Sequence, residues 1–180
     1  RCGPPSRAPC ACAAQDGVFH ILHNNKVLGT IDVLRVADGD RVEYSMISYS
    51  SFTHLWHQEV RTVARTRYVA SKVSACLTTV HVNDALRDSS VLTPIGGRGL
   101  YVVHPDRVYG AELPQNPWTT ARMYYEEPVG QDSVFVESEL FECPVERIAP
   151  GEYILKLPNK EKNHYVYRDG VLQEIRVDRG

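Results

Sequence analysis

The sequence predicts an all-β, mainly antiparallel domain, a meandering, strongly curved sheet or open β-barrel with one short helix near 117–126. Two observations predict this class. Runs in which apolar and polar residues alternate, the period of a half-buried strand, recur between turn signals. In addition, Asp169-Gly170 separates two hydrophobic runs near the end of the chain. Asp-Gly is a strong hairpin signal because a type I′ turn needs positive φ at both central residues.

Composition describes an ordinary globular protein with little surface charge bias. The chain has 180 residues, 43% of them hydrophobic and 23% charged, with a formal net charge of −2. This length predicts one domain, and this charge argues against a nucleic-acid binder. No apolar run approaches the ~18 residues of a spanning helix, so no transmembrane segment is predicted.

Residues 1–15 are predicted to form a flexible tail outside a single domain at 16–180. The tail mixes small residues and prolines with Cys2, Cys10 and Cys12 and has no periodicity. It resembles the small-residue end of a secretory signal, and a disordered tail is the alternative.

Two of the five cysteines, Cys76 and Cys143, lie in patterned sequence. In an oxidising compartment a bond between them would close a long loop and contribute ~4 kcal/mol. Two unpaired buried thiols are the alternative. The pair Cys10-x-Cys12 lacks the spacing of a zinc site, and no metal or cofactor is predicted.

The first strands are predicted at 18–23, 26–37 and 41–51. Gly29 lies inside the second run, where a glycine marks a bulge or a close backbone approach. The residues between the second and third runs, Asp38-Gly39-Asp40, are predicted to form a three-residue loop. That register places Arg35 opposite Glu43 and apolar residues opposite each other on the other face.

The next segment alternates over many positions. Trp56, Val60, Ala64 and Tyr68 share one face. The opposite face carries His57, Glu59, Arg61, Arg65 and Arg67. This pattern predicts a half-buried antiparallel strand with a basic outer face, followed by a strand at 73–82. Regularity fails from 83 to 99, where a cluster of glycines predicts a mobile or functional loop.

The last third of the chain contains the predicted helix and the closing strands. Asn116 can cap a helix that starts at Pro117 and ends before Pro128. Strands are predicted at 100–104, 133–141, 152–157, 163–168 and 171–177.

Few residues form a pattern that predicts catalysis, and no catalytic residue is assigned. His54 and His57 would face opposite sides of a strand, although His57 and Glu59 share one. Glu126 and Glu127 are adjacent and therefore diverge. For Glu127 we predict a hydrogen-bonded structural role, with ligand binding as the alternative. No phosphate-binding loop, dinucleotide fingerprint or nucleophile elbow is present.

Aromatic residues form the predicted ligand-binding set. It comprises Trp118, Tyr124, Tyr125, Glu127, Tyr153, Tyr165 and Tyr167. If the sheet curls, the helix would close one end and leave a cavity lined by apolar and tyrosine side chains. The alternative is that these residues are simply core.

Charge is segregated between an acidic run at 126–152 and a basic run at 57–72. The two runs are either solvated faces or, in the alternative, an acidic rim for a cationic ligand or partner. Faces of opposite charge also permit self-association that weakens with salt.

Several segments resemble an uncharacterised family of bacterial exported proteins, a domain of unknown function common in Bacteroidetes. The resemblance spans roughly 18–178 and is clearest over 116–178. Its matching residues are Tyr124, Glu126 or Glu127, Pro128, Glu139, Tyr165, Tyr167 and Gly170. The resemblance implies an extracytoplasmic β-domain, periplasmic or secreted, with no assigned activity.

The leading functional hypothesis is a non-catalytic protein of the cell envelope or exterior that binds a small apolar ligand or a protein partner. The second is a structural subunit that forms homo-oligomers through charged faces. The third is a hydrolase, which requires the histidines near 54–59 and the carboxylates at 126–127 to converge.

Overall fold

The fold consists almost entirely of β-strands. A computed structural model describes residues 13–23, 26–53, 57–103, 107–158 and 160–178. The strands are β1 (Ala13–His23), β2 (Lys26–Asp38), β3 (Arg41–Thr53), β4 (His57–Val69), β5 (Lys72–Val82), β6 (Ala85–Ile95), β7 (Arg98–Val103), β8 (Arg107–Ala111), β9 (Ser133–Val136), β10 (Phe141–Ala149), β11 (Glu152–Lys156), β12 (Lys162–Arg168) and β13 (Val171–Asp178).

The strands form two antiparallel sheets in meander order. The large sheet has the order β1 to β8, and the small sheet has the order β13-β12-β11-β10-β9. Because β1 and β8 are edges of the large sheet, this sheet does not close into a barrel. The prediction of an antiparallel, open β architecture is confirmed.

Tight turns explain why strands that are neighbours in sequence are also neighbours in the sheet. Asp169 and Gly170 have φ of 51° and 75°, which confirms the predicted hairpin. Positive φ at both central residues also occurs at Ala70-Ser71, Asn83-Asp84 and Gly96-Gly97. Such primed turns match the right-handed twist of the strands that they join.

The predicted register of β2 and β3 is wrong by one residue. Asp38 pairs with Arg41, so only Gly39 and Asp40 form the loop, and Arg35 lies opposite Tyr44. Gly39 has φ of 61°. A glycine with positive φ at the first central position suits a two-residue type II′ turn, which needs no third loop residue.

Two boundaries near the predicted loops and tail also differ from prediction. Residues 85–95 form strand β6, although the sequence predicted an irregular loop there. Pairing with β5 on one side and β7 on the other compensates for its weak alternation. Strand β1 begins at Ala13, so residues 13–15 belong to the large sheet. The rest of the predicted tail lies outside the described residues.

The predicted helix near 117–126 is a single 3-10 turn at Arg122–Tyr124. The backbone before this turn bonds to β9 instead of continuing a helix. Phe135 N donates to Trp118 O (2.8 Å), and Thr120 N donates to Phe135 O (3.2 Å). These cross-strand bonds use backbone groups that helix formation would require. Among the described residues, no helix is long and apolar enough to cross a membrane.

Two contiguous clusters form the core between the sheets. The first includes Met123, Val134, Val136, Cys143, Val145, Tyr153, Leu155, Tyr165, Tyr167 and Leu172. The second includes Tyr44, Tyr68, Val73, Cys76, Leu92, Tyr101, Ala121, Phe135 and Leu140. Members of the second cluster on β3 to β7 identify the inward face of the large sheet. On β4, the even-numbered residues lie on that face, as the alternation predicted.

Gly29 lies beside a β-bulge, as predicted. The register shifts between Ile21 and Leu22, so one residue of β2 is extra at this point. A Cβ atom on Gly29 would lie 1.9 Å from the carbonyl oxygen of Tyr49. The backbones of β2 and β3 therefore approach so closely here that only glycine fits.

Candidate functional site

Three tyrosines of the predicted ligand-binding set, Tyr153, Tyr165 and Tyr167, lie in the core near the 3-10 turn. Tyr153 donates from its hydroxyl to Glu127 Oε1 (2.7 Å), and Tyr167 donates to Met123 O (2.7 Å). Burial, followed by the bond to Glu127, raises the pKa of Tyr153 to about 12. Burial also raises the pKa of Tyr165. These hydroxyls are therefore neutral donors that hold the core together.

Packed side chains lie at the turn where the sequence predicted a cavity beneath a helix. Met123, in the turn, is fully buried, and Tyr167 donates to its carbonyl oxygen. Met123 and Tyr167 belong to the same core cluster.

The remaining aromatic members of the set, Trp118, Tyr124 and Tyr125, are half-buried and pack against the core clusters. The guanidinium of Arg122 lies 4.3 Å from the ring of Trp118. Tyr124 makes an edge-to-face contact with Phe19, with ring centroids 5.4 Å apart. Tyr125 lies 5.5 Å from the ring of Tyr44. A ligand-binding role for the set stays a prediction.

Glu126 and Glu127 diverge, as their adjacency predicted. Glu126 forms an ion pair with Arg122 at 2.6 Å, whereas Glu127 accepts the bond from Tyr153. The bond of Glu127 is the structural role predicted for it.

Glu137 is a buried carboxylate with several hydrogen-bond donors, and its sequence pattern did not single it out. Its side chain is 2% exposed. Its Oε1 accepts from Thr66 Oγ1 (2.9 Å) and from Ala121 N (3.1 Å), and its Oε2 accepts from the hydroxyl of Thr120. We call these four residues the Glu137 cluster. Residues 112–132 connect β8 to β9, and we call them the connecting segment. The cluster ties β4 of the large sheet to this segment and to the end of β9.

A second buried bond supports the Glu137 cluster. Tyr68 donates from its hydroxyl to Thr119 Oγ1 (2.8 Å), again between β4 and the connecting segment.

One sequence signal could have revealed the Glu137 cluster. Glu137 directly follows the apolar run 134–136, where an exposed acid would not be expected.

The histidine and carboxylate groups do not converge. His57 and Glu59 form an exposed pair at 3.3 Å near the start of β4. Tyr68, which contacts the connecting segment, is eleven residues further along this strand, or about 36 Å away. The two groups therefore lie near opposite ends of the large sheet, and His54 lies outside the described residues.

Both patterned cysteines are buried free thiols in this structure, in line with the second of the two interpretations. Cys76 and Cys143 belong to different core clusters. Burial raises the pKa of Cys143 to about 11 and raises that of Cys76 as well.

The large sheet extends beyond the small sheet and leaves an open trough. Strands β3 and β4 have 13 residues each, about 43 Å, whereas β11 has five, about 17 Å. The small sheet therefore covers only part of the inward face. The trough is the uncovered part, lined by Ile31, Ser48, Val60, Thr62, Val80 and Val82.

Trough residues face inward and are nevertheless half-buried. They lie on the same strand faces as the buried Val33, Tyr44, Thr66 and Cys76. None of the trough residues belongs to either core cluster. The trough thus combines apolar side chains with small hydroxyls, and all of them are only half-buried.

Carboxylates lie at one margin of the trough. Asp88 pairs with Val80 in the sheet. Burial raises the pKa of Glu139, and the charges of Asp88 and Glu161 raise it further. Arg107 acts in the opposite direction on the pKa of Glu139.

Replacing Glu139 by Gln is expected to raise Tm at about pH 7, with the difference disappearing near pH 4. A carboxyl whose pKa is raised in the folded state stabilises the fold below its unfolded pKa. This contribution is lost as the pH rises through the folded value. Thermal unfolding at both pH values measures the effect. The exposed Glu142→Gln is the matched control, and an equal rise at both pH values would contradict the prediction.

Two surface depressions are separate from the trough. One of about 420 Å³ is lined by Val36, Asp38, Arg41, Val42, Glu43 and Arg67. The other, of about 200 Å³, is lined by Ile95, Arg98, Gly99, Leu100 and Gly110. The first carries charges of both signs, and Arg67 and Glu43 pair within it at 3.3 Å.

Comparisons with known proteins match the chain to one solved structure. No protein-family model matches it, and no curated protein matches it significantly in sequence. It is similar to the crystal structure of a β-barrel-like protein of domain of unknown function DUF1849 from Brucella abortus. The identity is 11% and the TM-score 0.48, over 94% of this chain and 91% of that chain.

The strand order by itself defines an open, antiparallel β-domain of two sheets. Membership of the Bacteroidetes family and an extracytoplasmic location stay predictions. Self-association also stays a prediction. Several acids of the predicted acidic run pair locally, Glu146 with Lys156 and Glu152 with His164. Among the described residues, no group of His, Cys, Asp or Glu could hold a metal ion.

Proposed function

We propose that this domain is a non-catalytic binding protein whose trough holds a small, predominantly apolar ligand. The carrying observation is that Ile31, Val60, Val80 and Val82 face inward without joining either core cluster. These side chains are only half-buried, so part of their apolar surface lies in water. Removing apolar surface from water is favourable by about 25 cal/mol per Å². A ligand that covers them recovers this free energy.

The chemistry of the trough supports binding rather than catalysis. Its polar residues, Ser48 and Thr62, are hydroxyls on neighbouring strands. The pair His57–Glu59 is exposed on the opposite face of β4. A concave apolar surface with a few polar groups is the usual composition of a small-molecule site.

Ser48→Trp is expected to reduce binding of an apolar fluorescent probe at least tenfold, because the indole would occupy the middle of the trough. Ser45→Trp on the outer face of the same strand is the matched control and should bind as wild type does. Titration of each variant with the probe measures the effect, and equal Tm values establish that both variants fold. Equal probe affinity in the two variants would refute the proposed site.

A further inference from the structure

Arg35 is a half-buried arginine on the inward face of the large sheet, and its guanidinium is only partly engaged. It lies on the same face of β2 as the buried Val33 and opposite the buried Tyr44 on β3. Its Nε donates to the hydroxyl of Tyr44 at 3.4 Å, which is long for a hydrogen bond, and its Cζ lies 5.7 Å from the centroid of that ring. The guanidinium has further N–H donors, so it can bind another acceptor.

The acids around this arginine pair elsewhere or face away from it. Glu126 forms its ion pair with Arg122 at 2.6 Å. Asp16 is exposed and lies on the outer face of β1, because the residue before it, Gln15, pairs with Arg35 on the inward face. Among the described residues, no ion pair includes Arg35. Arg35 therefore lacks the acidic partner that an arginine drawn into an interior usually has.

Tyr125 supplies a second hydrogen-bond donor at a position that solvent reaches. Its ring lies 5.5 Å from that of Tyr44, which Arg35 also contacts. Its hydroxyl donates to the carbonyl oxygen of the exposed Gln15 at 3.5 Å, again a long bond. Burial raises the pKa of Tyr125 to about 12, and Tyr44 and Asp16 add to this effect. The charge of Arg35 acts on this pKa in the opposite direction, so the hydroxyl is a neutral donor within the field of Arg35.

We propose that Arg35 binds the carboxylate of a small aromatic acid, with the hydroxyl of Tyr125 as a second donor. A planar carboxylate accepts two parallel N–H bonds from one guanidinium. The half-buried ring of Tyr125 offers apolar surface to the ring of the acid. A phosphate would bring about two negative charges toward Glu126, whose Oε1 lies 3.5 Å from the hydroxyl of Tyr44. The position therefore favours a carboxylate over a phosphate.

This site is separate from the trough. Ser48 of the trough is four residues from Tyr44 along β3, or about 13 Å away. On β2 the buried Val33 lies between Arg35 and the trough residue Ile31. The inference thus goes beyond the proposed function and does not depend on it.

Benzoate, benzamide and phenyl phosphate, titrated into the isotopically labelled full chain and followed by amide resonances in NMR, test the ligand class. Benzoate should shift resonances of β2 and of residues 122–126. It should bind at least tenfold more tightly than the neutral benzamide and more tightly than phenyl phosphate. Benzamide binding as tightly as benzoate, or phenyl phosphate binding more tightly, would overturn the assignment of a carboxylate.

Arg35→Gln tests the guanidinium and should weaken binding of benzoate at least tenfold. Arg35→Lys should weaken it about threefold, because an ammonium keeps the charge but loses the paired donors. Arg65→Gln is the matched control, since Arg65 is exposed on the outer face of β4 and should not affect benzoate. Equal Tm values establish that the variants fold. Unchanged affinity of Arg35→Gln for benzoate would refute the site.

Tyr125→Phe removes only the hydroxyl and should weaken binding of benzoate about threefold. Tyr109→Phe, on β8 at the opposite edge of the large sheet, is the matched control and should bind as wild type does. Equal affinity of these two variants for benzoate would contradict the role of Tyr125.

Ser48→Trp distinguishes this site from the trough. It should leave the affinity for benzoate unchanged while it reduces binding of the apolar probe. Loss of both ligands in Ser48→Trp would place the acid in the trough and overturn the site at Arg35. If Ser48→Trp still binds the apolar probe, the proposed function fails, whereas the site at Arg35 is decided by benzoate and Arg35→Gln alone.

Discussion

Glu137→Ala is expected to lower the free energy of unfolding by about 4 kcal/mol. The substitution removes an acceptor shared by Thr66, Thr120 and the amide of Ala121, all in the interior between the sheets. Each donor left unpaired in a buried site costs about 1–3 kcal/mol. Chemical denaturation, with the slope of the transition compared between variants, measures the loss.

Glu137→Gln separates the hydrogen bonds from the charge. Its amide oxygen can still accept from Ala121 N and Thr66, and its NH₂ group can donate to Thr120 Oγ1, so we expect a loss of only about 1 kcal/mol. Glu142→Ala on the exposed side of β10 should change stability by at most about 0.5 kcal/mol. A loss for Glu137→Ala no larger than that for Glu142→Ala would show that the Glu137 cluster does not hold the sheets together.

Gly29→Ala is expected to lower the free energy of unfolding by about 3 kcal/mol. The added Cβ would lie 1.9 Å from Tyr49 O and 2.6 Å from the Cα of Ser50. Both are backbone atoms, so the clash can be relieved only if β2 and β3 separate. Thermal or chemical denaturation measures the effect.

Gly110→Ala is the matched control for this substitution. Gly110 also lies within a strand, and the nearest atom to its added Cβ is 3.9 Å away. It should therefore change stability by at most about 0.5 kcal/mol. If both glycines tolerate alanine equally, the close approach at Gly29 does not constrain the sheet.

Local signals were sufficient for the elements whose geometry is set by neighbouring residues. Asp169-Gly170 predicted its hairpin because positive φ at two successive residues is a property of those residues alone. The alternation along β4 predicted its buried and exposed faces because side chains alternate with the backbone pleat. Gly29 predicted a bulge or a close backbone approach because glycine has no Cβ.

Prediction failed where a distant strand competed for the same backbone. Asn116-Pro117 is a good helix start, but the backbone of Trp118 and Thr120 bonds to Phe135 instead. Strand β6 has weak alternation and forms because two strands pair with it. Cys76 and Cys143 lie in patterned strands, yet their membership of separate core clusters keeps them apart.

The candidate site shows the same division. The predicted tyrosines do gather around one turn, but packing made Tyr153 and Tyr167 part of the core. Glu137 was not recognised because Thr66, its donor on β4, is 71 residues away in sequence. The trough was not recognised either, because it follows from the unequal lengths of strands in the two sheets.

The sequence by itself determined an antiparallel β-domain, the faces of its central strands and its final hairpin. These depend on residue spacing and on the φ preferences of a few turn residues. Only the tertiary structure decided which inward face is covered. The large sheet is buried at one end around Glu137, and the trough residues at the other end are only half-buried. Burial depends on which strands lie above each residue, and strand periodicity alone does not contain that information.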